Sequence, residues 1–119
     1  MKLSENFRRK EFKCKCGNCT NFDTVDVQLI ELCEIVRKLN GNKKLTVISG
    51  HRCPKHNRKV GGAQNSLHKL GRAADLAVDN PKDIYDKLCQ LYPDRYGFGL
   101  YKHFIHVDTR KKPARWKKL

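Results

Sequence analysis

Residues 49–75, SGHRCPKHNRKVGGAQNSLHKLGRAAD, contain the pattern S-x-H-x-x-G-x-A-x-D, formed by Ser66, His68, Gly71, Ala73 and Asp75. The stretch is bracketed by β-rich sequence. Leu45-Thr46-Val47-Ile48 predicts a strand that carries Ser49, Gly50, His51 and Arg52 to one end of a sheet. Ala73-Ala74-Asp75-Leu76-Ala77-Val78 predicts another, with small residues beside the aspartate on its own face. Gly71 lets the chain turn between His68 and that strand. Downstream, His106-Val107-Asp108 puts a second histidine on the polar face of a further strand, with Ile105 and Val107 on the other face. His68, Asp75 and His106 are two imidazoles and one carboxylate, the usual ligands of a catalytic zinc ion whose fourth position stays open for water.

The flanking sequence supplies the scaffold. Over residues 23–39, Leu29, Ile30, Leu32, Cys33, Val36 and Leu39 recur at spacings of three and four, which predicts a helix capped by Asp23, Thr24 or Asp26 and ended by Gly41. Asn80-Pro81 opens a second helix with Ile84, Leu88, Cys89, Leu91 and Tyr92 as its buried stripe, and Pro93-Asp94 stops it. Pro54 to Lys59 predicts one further helical turn. Gly97 to Tyr101 and Phe104 to Thr109 predict a hairpin turning near Lys102-His103. The sum is an α+β fold: a small antiparallel sheet with a zinc site on one face, packed against two main helices.

At 119 residues the chain fits one domain, with residues 1–22 a cysteine-rich arm and residues 110–119 a basic tail in which Trp116 packs back on the domain. Hydrophobic residues make up 39% and are too dispersed for a membrane span. MKLSENFRRKEF lacks the apolar core of a secretory signal, so a substrate outside the cytoplasm would have to be met after release by other means. The net charge of +14, from 26 Lys and Arg against 12 Asp and Glu, predicts attraction to polyanions, either nucleic acid or anionic cell-wall polymers. Cys33 and Cys89 fall in helical apolar patterns and read as core. Cys14, Cys16 and Cys19 cluster within six residues, and with Cys53 they make a candidate tetrahedral structural metal site. A disulfide or reduced thiols are the competing readings.

Three blocks, SGHRCPKHN, GGAQNSLHKLGRAADLAV and GFGLYKHFIHVDTR, resemble the zinc peptidases that include the D-alanyl-D-alanine carboxypeptidases and L-alanyl-D-glutamate endopeptidases of bacteria and phages. The hedgehog signalling domain shares that fold. The likeness spans roughly residues 44–116 and is greatest to the short, single-domain branch. It implies a Zn²⁺ ion on His68, Asp75 and His106, a peptidoglycan peptide as substrate, Ser66 donating a hydrogen bond to it, and action at the cell wall as a monomer. Arg52 matches an arginine that binds a substrate carboxylate, as a guanidinium does with two parallel hydrogen bonds.

The chain departs from that pattern at the general base. Many relatives place Glu or Asp three residues before the last histidine ligand, where this chain has His103. His103, with an ordinary pKa near 6.5, suits both halves of a proton transfer. Asp108 is the other candidate, or else a carboxylate that orients a ligand imidazole; a third, unidentified group stays open. The missing acid also admits a non-catalytic zinc-site binding module. The charge and the CKCGNC cluster admit a basic nucleic-acid-binding zinc protein.

Overall fold

The computed structural model describes residues 2–16, 25–62 and 66–119. Three helices, α1 (Val27–Leu39), α2 (Pro54–Lys59) and α3 (Pro81–Leu91), accompany five strands, β1 (Thr46–Ser49), β2 (Ala73–Ala77), β3 (Gly97–Tyr101), β4 (Ile105–Asp108) and β5 (Ala114–Lys118). Short 3-10 turns occupy Arg9–Phe12 and Leu67–Leu70. The strands form one sheet in the order β1-β2-β4-β3-β5.

Alternation along the strands sorts the two faces. Val47, Ala74, Leu76, Phe98, Leu100, Ile105 and Val107 turn to the core, where they meet Leu29, Leu32, Cys33 and Val36 of α1 and Ile84, Tyr85 and Leu88 of α3. The two predicted main helices therefore cover one face of the sheet and leave the other for the site. α1 starts at Val27, later than its hydrophobic period suggested, because Asp26 is the residue that caps it, accepting from the Gln28 amide. The alternative caps Asp23 and Thr24 lie outside the described residues. In α3, Asn80 caps and Pro81 leads as expected. Leu91, expected in the buried stripe, is 54% exposed, and Tyr85 takes a core position instead.

The sheet departs from the antiparallel expectation at one edge. β1, β2, β4 and β3 pair antiparallel, but the last residues of the supposed basic tail form β5, which runs parallel to β3 from Gly97↔Ala114 to Tyr101↔Lys118. ARWKK carries no apolar alternation, so pattern alone leaves it unassigned. Tertiary bonds hold it. The Arg115 guanidinium donates to the carbonyls of Tyr92, Arg95, Ala114 and Tyr96. Exposed Lys117 and Lys118 leave this edge charged, which discourages further strand addition.

The N-terminal arm is packed as a core element. Phe7 and Phe12 are each 1% exposed, and the Phe12 carbonyl accepts from the His51 amide at 2.8 Å. Glu34 on α1 anchors the arm further by accepting from the Ser4 hydroxyl and from the backbone and side-chain nitrogens of Asn6. Burial works to raise the Glu34 pKa, yet those hydrogen bonds outweigh it and hold the carboxyl below its ordinary value. A depressed folded-state pKa contributes stability above the unfolded value near 4.3 and loses it as pH falls through the folded value. Glu34→Gln is thus expected to cost about 1 kcal/mol at neutral pH, a figure discounted for solvent exposure. Urea unfolding at neutral and acid pH checks this: the gap between variant and parent should close as pH drops below the ordinary carboxylate range.

Candidate metal centre

One lateral row of the sheet builds the site. Ser49 pairs with Asp75, Asp75 with His106, His106 with Gly99, and Gly99 with Trp116, so all five strands contribute one residue to the same line. A register irregularity between Val47 and Ser49 brings Ser49, rather than Ile48, opposite Asp75. The next row pairs Ala73 with Asp108 and Asp108 with Gly97. His68 enters from outside the sheet on the Leu67–Leu70 turn, which Ser66 caps by accepting from the His68 amide. Gly71, at φ +68°, ends that turn and sends the chain into β2.

His68, Asp75 and His106 offer ligand atoms that all lie within 4.8 Å of one another. His68 Nε2 is 3.4 Å from Asp75 Oδ1 and His106 Nδ1 is 3.0 Å from the same oxygen. The tautomers follow from the outer partners. A carbonyl only accepts, so His68 Nδ1 donates to Gly50 O at 2.7 Å and its Nε2 carries the lone pair. A carboxylate likewise only accepts, so His106 Nε2 donates to Asp108 Oδ2 at 2.8 Å and, in the neutral ring, Nδ1 carries the lone pair. His68 Nε2 is buried with no hydrogen-bond partner. Lone pairs of two imidazoles thus converge on a carboxylate oxygen, an arrangement that calls for a cation among them. The donor set and the orphaned nitrogen fit a divalent metal ion.

Charge around the three residues is arranged to match. Burial works to raise the Asp75 pKa, but the His106 and His68 rings beside it outweigh burial and keep the carboxyl well below the usual range. Asp108, fully buried, shows the same balance: burial raises its pKa, and bonds from His106 and Arg110 lower it further than burial raises it. Arg110 grips both Asp108 oxygens, Nε to Oδ1 at 2.9 Å and Nη2 to Oδ2 at 2.8 Å. For His106 burial lowers the pKa, while the carboxylates of Asp108 and Asp75 on either side of the ring raise it to a net upward shift. Gly97 makes room for this: a Cβ there would stand 2.4 Å from Asp108 Oδ2. Asp108 is therefore a buried, saturated acceptor that sets the orientation of His106.

Above the row lies a cavity of about 580 Å³, lined on one side by Val60, Gly61, Gly62, Ser66 and Leu67. Tyr101, Phe104 and Trp116 line the other, with Arg52, Arg110 and Lys118 as cations. Arg52 Nε donates to Ser49 Oγ, Nη1 to Asn57 Oδ1 and Nη2 to Asp75 Oδ2 at 3.4 Å. Its guanidinium is thereby held flat against the rim of the site. Ala63, Gln64 and Asn65 of the glycine-rich loop lie outside the described residues. His103 is exposed at the β3–β4 turn and is not among the residues lining the cavity, although its neighbour Phe104 is.

Trp116 is the site residue least legible in the sequence. It packs 5.0 Å from the His106 ring, and its Nε1 donates to the Tyr101 hydroxyl at 3.1 Å. The only sequence signal was a single Trp in a lysine-rich tail. The cysteines converge as the spacing suggested, with Cys14, Cys16 and Cys53 offering sulfurs within 4.8 Å of one another. Cys19 lies outside the described residues.

A His-Asp-His donor set at the floor of a cation-lined cavity has the chemistry to hold a divalent metal ion. The family model for Peptidase M15 matches residues 5–108, and the chain belongs to that family, which makes it a metallopeptidase acting on a peptide substrate. No curated protein matches the chain. The match ends at Asp108, so the family pattern takes in His68, Asp75 and His106 and leaves out β5 with Trp116. Among the described residues no helix is long and apolar enough to cross a membrane.

Replacing Asp108 with Asn should leave the fold intact and weaken divalent-metal affinity about 10- to 100-fold, because the imidazole loses its charged orienting partner. Calorimetric titration of metal into the apo-protein measures this.

Proposed function

We propose that the protein is a zinc-dependent peptidoglycan peptidase that hydrolyses an amide bond beside a D-amino acid in the stem or cross-link peptide. The observation that carries the reading is the buried, partnerless His68 Nε2 facing Asp75 beside His106 at the base of the cavity. His68 through Nε2, Asp75 through its carboxylate and His106 through Nδ1 would hold the ion. When bound, zinc supplies Lewis acidity, bringing the pKa of water from about 15.7 toward about 7 and polarising the amide carbonyl.

The chain's own residues supply the rest. Gly50 O and Asp108 fix the two imidazoles in the tautomers that present lone pairs. Arg52, with Arg110 and Lys118 across the cavity, gives the walls a positive charge suited to a substrate carboxylate. Ser66 also lines the cavity, where its hydroxyl would meet the peptide. Tyr101 and Phe104 stack 4.4 Å apart and with Trp116 form an apolar wall that limits water. Asp108, saturated by His106 and Arg110, is poorly placed to take a proton from attacking water. His103, one residue from cavity-lining Phe104, is the group we assign as base: it reaches in from the rim once substrate is bound, takes the water proton and returns it to the leaving amine. The net charge of +14 favours anionic wall polymers as the surface on which the enzyme concentrates, with release by lysis as its route. A short basic peptidase of this kind suits a phage endolysin or a wall-remodelling enzyme, working as a monomer.

Zinc-loaded protein incubated with purified peptidoglycan should release fragments identifiable by mass spectrometry, and the new termini will separate carboxypeptidase from endopeptidase cleavage. His68→Ala should abolish release together with metal at this site. His103→Ala should lower kcat about 10²-fold or more with little change in KM. Arg52→Lys should mainly raise KM, since a point charge cannot replace the planar fork. A folded, zinc-loaded protein that leaves several wall chemotypes intact would instead favour the non-catalytic binding module. Salt-sensitive nucleic-acid binding without hydrolysis would favour the third reading.

A further inference from the structure

Outside the cavity, the densest unexplained cluster of reactive side chains lies where the N-terminal arm meets the start of α2. Cys14 is buried and Cys53 is 9% exposed. The sulfur of Cys53 stands 3.9 Å from that of Cys16, although the two are 37 residues apart in sequence. That separation is longer than a bond and suits two sulfurs that share an ion. A disulfide needs about 2.05 Å, whereas two thiolates on one tetrahedral zinc ion, each at about 2.3 Å, stand about 3.8 Å apart. The amides are also arranged for charged sulfur. Cys53 N donates to Cys14 Sγ at 3.3 Å and His56 N donates to Cys53 Sγ at 3.4 Å, bonds that orient the sulfurs from outside and leave lone pairs for an ion between them.

We infer that Cys14, Cys16 and Cys53 bind a zinc ion that staples the N-terminal arm to the segment of residues 49–53. That segment is the brace of the catalytic cavity. Gly50 O fixes the His68 tautomer, the Arg52 amide donates to His68 O, and the Arg52 side chain lines the cavity. The arm also meets the segment through the backbone bond from His51 N to Phe12 O, beside the packed phenylalanine. A metal staple two residues further on closes a loop of nearly forty residues, the kind of crosslink that stabilises a small domain. The ion's role is that of a crosslink, since none of these cysteines lines the cavity.

The test is metal content, and it is independent of peptidase activity. Wild-type protein purified without chelator should hold about one equivalent of zinc more than Cys14→Ser/Cys53→Ser and, separately, about one more than His68→Ala/His106→Ala. Cobalt substitution should give intense sulfur-to-metal charge-transfer bands in the wild type and in the histidine variant, and none in the cysteine variant. Should the cysteine variant not fold, titrating folded wild-type protein with an organomercurial, with a chromogenic chelator present, should release about one equivalent of zinc per chain as the thiols react. Zinc lost wholly with the histidine pair, absent thiolate bands, or a mass two hydrogens lighter in unreduced protein would each overturn the staple. None of those results would touch the peptidase reading, which stands or falls on His68.

Discussion

The carboxylate of Asp75, set between two imidazoles, is the constraint on which this molecule is organised. Three groups able to hold a cation are brought together on a sheet whose other face is closed by α1 and α3. Rigidity on the core side makes that possible. Leu76, Ile105 and Val107 are at most 1% exposed, so the strands carrying Asp75 and His106 cannot slip without turning a core residue to solvent and a ligand into the core. Register is therefore the device that keeps the ligands together.

Around that centre the outer partners are all groups of fixed polarity. Gly50 O and Asp108 accept and nothing else, so the protons of His68 and His106 are directed away from Asp75. Arg110 neutralises Asp108, which allows a full carboxylate to be buried behind His106 without leaving net negative charge beside the metal ligands. The Arg110 guanidinium also sits 5.4 Å from the Trp116 ring, which ties the β5 wall to the same network. Loop, hairpin and edge strand then differ from the floor in kind: they shape the cavity and set its charge, while the donor geometry belongs to β2, β4 and the turn bearing His68.

Much of this was readable from residue spacing. The helices followed from apolar periodicity, and Asn80-Pro81 gave a sharp start to α3, because these signals are local. The three donor residues were legible because small residues, a turn glycine and the histidines occur at fixed short intervals. Leu91 and Tyr85 exchanged roles because a helical stripe is wider than its nominal face, and the neighbouring β3 decides which side of it is covered. Asp108 was left between two roles by its sequence. Its burial, the Gly97 contact and the grip of Arg110 define its surroundings, and none of those is visible in one dimension.

By itself the sequence determined the α+β class, the two covering helices, the central hairpin and the pattern that singles out His68, Asp75 and His106, since each depends on periodicity or spacing along the chain. Tertiary structure alone decided that residues 114–118 close the sheet as a parallel edge strand, that Trp116 walls the cavity, and that His103 stands at its rim rather than in it. The physical reason is the same in each case. A parallel partner, a guanidinium reaching four carbonyls and a pocket between a loop and a strand depend on residues far apart in sequence, so they acquire an energy only once the chain has folded.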